Sequence, residues 1–291
     1  MTQVGEAPLS LVTGASGFIG TAVVQHAQGP LRLVQHRRPL TGEHALIEGD
    51  LLDASTDFGT WTKGVDRVLH LARPAAGSAW RRRRVAARTE DGAKRFVDHL
   101  LDTGLHGLAV HGSLSYGDRG EDLVGPESSI HPVGYAKAYA RGEAPWRHAA
   151  EQGRLGVVRA PWVLGPGSWF DLLYTGPTVP VFDEGHAWMS IVTREGLARW
   201  LWTQHEAQGV FHPPLLARVR QRDFASLVAK ARGVPTAAMP STALAAQHGH
   251  QARAAIMASL RLDDGRGETS ESEQAMAALE VALHDVVAGR S

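Results

Sequence analysis

Short apolar runs alternate with longer helical patterns along the first 160 or so residues of this chain. Leu9–Thr13 is an apolar run that ends in glycine-rich sequence, and Phe18–Gln28 reads as a helix. Leu31–Gln35 and Ala45–Ile47 read as the second and third strands, the latter followed by Glu48-Gly49-Asp50. Val65–Ala72 and Leu105–His111 give a fourth and fifth strand, with the helical stretch Trp80–Leu101 between them. Gly134–Glu151 reads as another helix and Leu155–Val158 as a sixth strand. Strands that alternate with helices pair in parallel through right-handed crossovers, so the pattern predicts an α/β protein with a doubly wound sheet.

After Pro161 the pattern breaks up. Gly165, Pro166, Gly167, Gly176, Pro177 and Pro180 punctuate loops. Helices are expected at Arg222–Arg232, in the Ala-rich stretch Thr242–Leu262 and at Gln274–Val287, with Asp263–Glu273 as a polar linker. This predicts a nucleotide-binding domain over 1–164. A smaller, mainly helical substrate lobe follows over 165–291, interleaved with it and carrying a helical lid near 238–262. No internal repeat is visible.

Composition narrows the chemistry. The chain has 291 residues, 43% of them hydrophobic, with 30 basic and 30 acidic side chains. A neutral balance argues against a general partner in nucleic acid or an anionic membrane surface. The run Arg81-Arg82-Arg83-Arg84 reads as a solvated helix face. There are no cysteines, which excludes disulfides, thiolate metal sites and thiol catalysis. Fifteen histidines show no metal-ligand spacing, and His248-Gly249-His250 stands alone, so no metal is expected. Met1–Ser10 has neither a basic start nor an apolar run, and no stretch approaches a membrane span. The expectation is a cytoplasmic protein.

The informative motif is Thr13-Gly14-Ala15-Ser16-Gly17-Phe18-Ile19-Gly20, between a strand and a helix. Gly14 permits the tight turn, Gly17 lets backbone approach a diphosphate, and Gly20 lets the helix pack on the sheet. First-turn amides and the helix dipole then hold the anion, which is the Rossmann arrangement. Strand two ends in Gln35-His36-Arg37-Arg38, with no carboxylate to take a ribose 2′-hydroxyl. Guanidinium groups suit a 2′-phosphate, so NADP(H) is the expected cofactor. Asp50-Leu51, past strand three, is placed for an acidic side chain to accept from the adenine amino group.

These residues resemble the extended short-chain dehydrogenase/reductases, including the NAD-dependent epimerases and dehydratases. The resemblance runs from about Leu9 to Pro240. It is carried by the 13–20 motif, Gly49-Asp50-Leu51, His70-Leu71-Ala72, the segment 111–117 (HGSLSYG), Arg159-Ala160-Pro161 and the segment 163–167 (VLGPG). It implies that Leu71, Ala72 and Arg73 line the cofactor, that Pro161 and Val163 lie in the loop beside the nicotinamide, and that the C-terminal lobe binds substrate.

The family's catalytic signature is altered. Members carry a hydroxyl residue ahead of a Tyr-Gly pair, then a tyrosine and a lysine four residues apart on the next helix. Here that segment is Pro132-Val133-Gly134-Tyr135-Ala136-Lys137-Ala138-Tyr139. One register keeps Tyr135 and puts Tyr139 where lysine belongs. The other aligns Pro132, Gly134, Ala136 and Lys137 with the family and puts Val133 where tyrosine belongs; it matches more flanking residues. Ser113 fits the hydroxyl site with a one-residue deletion. The resemblance therefore implies Lys137 and Ser113 as catalytic candidates, Lys137 also binding the nicotinamide ribose.

Relatives without the tyrosine include ketoreductases of aromatic polyketide antibiotic pathways. The expected activity is NADPH-dependent reduction of an aromatic ketone of angucyclinone type, its proton coming from the substrate. The alternatives are an NADP(H)-sensing regulator and a nucleotide-sugar epimerase or dehydratase. Trp162, Trp169 and Trp188 are candidates for either an aromatic substrate pocket or the packing of the lobe.

Overall fold

The structure is a computed structural model that describes residues 7–73, 79–204 and 206–289. The chain forms two compact units, and both are discontinuous. The first takes the chain up to His111, Ala138–Val158 and Ala198–Val210; the second takes Gly112–Lys137, Arg159–Leu197 and the chain from Phe211 onward. A single cut after 164 does not describe this division, because 112–137 and 159–164 belong to the second unit and 198–210 returns to the first. The two units are of about equal length.

The first unit is built on β1 (Ser10–Thr13), β2 (Leu31–Gln35), β3 (Ala45–Glu48), β4 (Arg67–His70) and β5 (His106–Gly112). Strands Gly156–Ala160 and Gly209–Phe211 complete a seven-stranded sheet. From one edge its order is 209–211, 156–160, β5, β4, β1, β2, β3. β3, β2, β1, β4 and β5 all pair in parallel. The chain winds outward from β1 to β3, then returns to lay β4 on the other side of β1. That reversal opens a crevice at the carboxyl ends of β1 and β4, where doubly wound sheets bind ligands.

The helices are α1 (Phe18–Gln25), α2 (Phe58–Thr62), α3 (Ala79–Thr103) and α4 (Ala136–Glu151). Leu11, Val68, Phe96, Leu100, Trp146 and Val157 form the buried centre of this unit. Glycines set close approaches: a Cβ on Gly142 of α4 would lie 2.7 Å from Thr89 of α3. Among the described residues no helix is long and apolar enough to cross a membrane.

Among the described residues the second unit carries five helices, but three short sheets that the sequence pattern does not announce hold it together. Trp188–Thr193 pairs in parallel with Trp162–Leu164 and antiparallel with Ala217–Arg220. Thr236–Met239 pairs with Val179–Phe182, and Arg261–Leu262 with Leu123–Val124. The expected continuous helix over 242–262 is instead two helices, Ser241–His248 and His250–Ile256, split at Gly249, whose φ is +87°. Leu244, Ala255 and Leu262 of this stretch are fully buried. Residues 263–273 are not a loose linker either: Asp264 accepts from the Leu215 amide and binds Arg266 and Ser270.

Two consequences can be measured. His70 lies in the core, stacked on Trp146 with ring centroids 5.2 Å apart, and burial pushes its pKa down to about 3. The unfolded chain takes up this proton near pH 6.5, so the stability held by neutral His70 is complete above that pH and is lost as pH falls from 6.5 toward 3. Urea titrations across this range should show the loss, a His70→Gln variant should show a shallower acid limb, and the imidazole resonances of folded protein should stay in the neutral form until pH approaches 3. The second consequence concerns Gly134, whose φ is +55° and whose added Cβ would lie 2.2 Å from the Gln251 carbonyl oxygen. Gly134→Ala should cost at least about 1–2 kcal/mol from the left-handed backbone alone, read as a lower denaturation midpoint.

Candidate functional site

In the first unit, the glycine-rich loop is a place where backbone meets backbone. Gly14 has φ +73°, and a Cβ on it would lie 2.6 Å from the Ala72 nitrogen and the Leu71 carbonyl carbon. A Cβ on Gly20 would lie 2.1 Å from the Gly14 oxygen, and one on Gly17 3.0 Å from it. Gly17 is the N-cap of α1, contributes no side-chain cap, and is followed by no acidic residue in the first turn. The first turn of α1 therefore has neither a side-chain acceptor from its cap nor a repelling carboxylate, which suits an incoming anion. Ser16, Phe18 and Ile19 are half-buried around this loop.

Thr13 ties the loop to β4. Its hydroxyl lies 2.8 Å from His70 Nδ1 and accepts from the Ala72 amide at 3.3 Å, while the Leu71 amide donates to the Thr13 carbonyl at 3.1 Å. Beyond β2, His36, Arg37 and Arg38 are exposed on a bend. Asp50 is already engaged: its Oδ1 accepts from the Leu52 amide at 2.9 Å, and its Oδ2 is 3.5 Å from His36 Nε2. Leu51 is buried, and a Cβ on Gly92 of α3 would lie 2.3 Å from its carbonyl oxygen.

A groove of this unit is lined by Leu51, Ala72, Arg73, Thr89, His111 and Tyr139. Arg73 holds its guanidinium 4.5 Å from the centre of the Tyr139 ring, a cation–π contact. Sequence reasoning placed Arg73 here and missed Thr89 and His111. Thr89 belongs to no motif and stands on α3, while His111, the first residue of the 111–117 segment, reaches the groove from β5.

In the second unit, Ser113 is buried in a single turn of 3-10 helix, Ser113–Tyr116, that follows β5. Tyr116 is fully buried, and its hydroxyl is 2.7 Å from His212 Nε2. The Pro132–Tyr135 segment is a turn closed by the Ala136 amide donating to the Val133 carbonyl. The helix predicted from Gly134 starts two residues later, at Ala136, because Gly134 is left-handed. Lys137 is exposed in the first turn of α4, and Val133 lies outside the helix. Pro161 is half-buried beside strand Trp162–Leu164, where Val163 pairs with Val192.

The three tryptophans do not form one group. Trp162 and Trp169 meet edge to face at 4.6 Å, and Trp169 donates to the Val163 carbonyl at 2.8 Å. With Tyr174 and Phe224 beside it, Trp169 belongs to the packing of the lobe. Trp188 stands apart, between the Arg220 and Arg261 guanidiniums at 4.0 and 4.9 Å. Its indole donates to Glu121, whose carboxyl is held down to about 2, chiefly by the Arg220 hydrogen bonds and then by this indole.

Many solved structures share the fold, among them the following three. The human epimerase family protein SDR39U1, with NADPH, is 20% identical over 96% of this chain and 99% of its own, with a TM-score of 0.76. The UDP-N-acetylglucosamine 4-epimerase of Methanobrevibacter ruminantium, in complex with UDP-N-acetylmuramic acid, is 17% identical over 98% of both chains, with a TM-score of 0.74. The Streptomyces venezuelae dTDP-glucose 4,6-dehydratase DesIV, with NAD bound, is 18% identical over 94% of this chain and 95% of its own, with a TM-score of 0.70. No curated protein sequence matches the chain. The model of the NAD dependent epimerase/dehydratase family matches residues 10–208, and the chain belongs to that family.

Proposed function

We propose that this chain is an NADPH-dependent ketoreductase acting on a carbonyl of a polycyclic aromatic polyketide of the angucyclinone kind, in antibiotic biosynthesis. Simocyclinone 7-ketoreductase is the narrowest form of the proposal. What supports it is a glycine-rich dinucleotide cradle in a chain whose 132–137 segment, in the register that matches more flanking residues, puts valine at the family's tyrosine position.

The cradle fits the cofactor on its own terms. Gly14, Gly17 and Gly20 stand where any Cβ would meet backbone within 2.6, 3.0 and 2.1 Å, so the loop is shaped for a ligand that approaches main chain. The first-turn amides of α1 would hold the diphosphate. Arg37 and Arg38, exposed on a bend without a carboxylate, would hold a 2′-phosphate. Lys137 would bind the nicotinamide ribose. When bound, NADPH supplies a hydride for the carbonyl carbon.

The protein's remaining tasks are positional. Ser113 would hold the carbonyl oxygen by a hydrogen bond, and Lys137 would add positive charge beside the reacting centre. With no tyrosine acid, a phenol next to the carbonyl on the substrate would furnish the proton, and orientation would supply much of the rate. No nucleic-acid or membrane partner enters this reading.

A nucleotide-sugar epimerase or dehydratase is the second reading, favoured by the family's description and by the two sugar-nucleotide enzymes sharing the fold. That chemistry relies on the tyrosine as acid and base, and Val133 carries no proton. A regulator that senses NADP(H) without turning it over is the third, and a retained Lys137 counts against it. Oxidation of NADPH matched by formation of alcohol from a polycyclic ketone selects the first reading over both.

Replacing Arg37 and Arg38 together by Ala should weaken NADPH about 10²-fold, since charged hydrogen bonds contribute about 1.5–3 kcal/mol each, and leave NADH nearly unchanged. Equal losses for both cofactors would sink the 2′-phosphate assignment. Lys137→Ala should raise the cofactor Kd and lower turnover. Tyr135→Phe should keep most of the activity, and methylating the substrate's neighbouring phenol should slow the reaction strongly. A loss of about 10²-fold or more in Tyr135→Phe, the size of a lost general acid, would instead make Tyr135 the acid.

A further inference from the structure

We propose that His212 is a positioning residue that orients the turn carrying Ser113, acting through the hydroxyl of Tyr116. The inference rests on the reading of Ser113 as the group that holds the substrate carbonyl.

The turn Ser113–Tyr116 is poorly determined by its own backbone. It is one turn of 3-10 helix, its N-cap Gly112 offers no side chain, and its closing bond is the Gly117 amide to the Leu114 carbonyl at 3.1 Å. Hydrogen bonds of this helix type have poor geometry, so a single turn needs outside support. Tyr116 supplies the contact: its ring is fully buried and its hydroxyl reaches His212 Nε2 at 2.7 Å.

The protons in this arrangement can be assigned by elimination. His212 Nδ1 is 2.6 Å from the Asp263 carbonyl oxygen, which can only accept, so Nδ1 carries the hydrogen. Burial lowers the His212 pKa and keeps the ring neutral, so Nε2 presents a lone pair. Tyr116 therefore offers its one hydrogen to Nε2 at 2.7 Å and shares it with the Pro126 carbonyl at 3.1 Å. The Pro126 carbonyl, 3.1 Å from the same hydroxyl, also receives the Arg159 guanidinium at 3.4 Å, and that guanidinium lies 4.5 Å from the centre of the Tyr116 ring.

The far end is anchored. The Asp263 amide donates to the Val124 carbonyl at 2.8 Å, directly beyond the Arg261–Leu262 ladder. His212 is followed by Pro213 and Pro214, which fix φ and limit its backbone. A rigid path thus runs from the 263 backbone through His212 and Tyr116 to the turn bearing Ser113. A bond that merely satisfied two buried polar groups would lower stability when cut and leave turnover per folded molecule unchanged.

The test compares His212→Leu, His212→Gln, Tyr116→Phe and the Tyr116→Phe/His212→Leu double variant in the full chain, with NADPH and a polycyclic aromatic ketone. Gln restores an acceptor near the Nε2 position. In His212→Leu and Tyr116→Phe, kcat should fall at least about tenfold, short of the 10²–10³ lost when an oxyanion donor is removed outright, with the Kd for NADPH unchanged. His212→Gln should recover most of kcat, and the double variant should be no slower than the worse single one. Amide hydrogen exchange over 112–118 should quicken in both single variants and return in His212→Gln, a reading that needs no substrate. Should His212→Leu not fold, Tyr116→Phe is read alone. A kcat within twofold of the parent, or unchanged exchange over 112–118, overturns the proposal. A parent protein that reduces no ketone overturns the reductase reading instead, while the exchange measurement still decides the role of His212.

Discussion

The first unit depends on one contact: the main chain of Gly14 against the main chain of Leu71 and Ala72. It joins the carboxyl end of β1 to that of β4, the two strands between which the chain reverses its direction of winding. No side chain fits there, because a Cβ would stand 2.6 Å from backbone atoms that cannot move independently. Thr13 is held on the same side by its bonds to His70 and to the Ala72 and Leu71 amides. His70 in turn stacks on Trp146, so the loop is referred directly to the deepest aromatic residues of the core, Trp146 and Phe96. A loop fixed this way is pre-organised, and an anion arriving at the first turn of α1 has little ordering left to impose.

This constraint also explains why that part of the fold was legible. A position that excludes every Cβ must be glycine, so the geometry is written directly into the sequence at Gly14 and Gly20, with Gly17 a tight fit between them. The central strands were legible for a related reason. Parallel strands covered on both faces read as unbroken apolar runs, and Ser10–Thr13 is buried along its whole length. The second unit hides its strands because they are two to six residues long and carry buried polar groups. Ser190 is bonded to the Leu260 carbonyl and the Leu262 amide, and Arg218 to the Leu262 carbonyl. Each of these breaks the apolar pattern while strengthening the ladder, and nothing in a single sequence pairs residues so far apart.

Candidate site residues divide along the same line. The glycines were read from their motif, and Arg73 from the resemblance, one residue past the 70–72 segment. His212 and Tyr116 meet across 96 positions of sequence, and the ring-to-hydroxyl contact has no local signature. The break at Gly249 was missed because the Ala-rich residues around it favour helix, and only the φ of +87° at that one glycine separates two short helices from one long one. The start of α4 was misplaced for the converse reason. Gly134 suits both a helical start and a left-handed turn, and its close approach to the Gln251 carbonyl decides for the turn.

That local choice bears on the proposed chemistry. In the family pattern a lysine acts on a tyrosine because the two project from one helix a single turn apart, close enough for the ammonium charge to favour the phenolate. Here the residue four before Lys137 is Val133, and Gly134 interrupts the helix between them with φ +55°. Valine has no proton to be tuned. A phenol placed at 133 would also project from the turn, not from the helix that carries Lys137. On the register that puts Val133 at the tyrosine position, two changes, one of side chain and one of backbone, would separate this chain from the tyrosine mechanism, and they would reinforce each other. Under the reductase reading, the cost of losing the acid falls on the choice of substrate: only ketones that carry their own acidic hydrogen beside the carbonyl would be turned over efficiently. Selectivity would then follow from the substrate's chemistry as much as from the shape of the lobe that receives it.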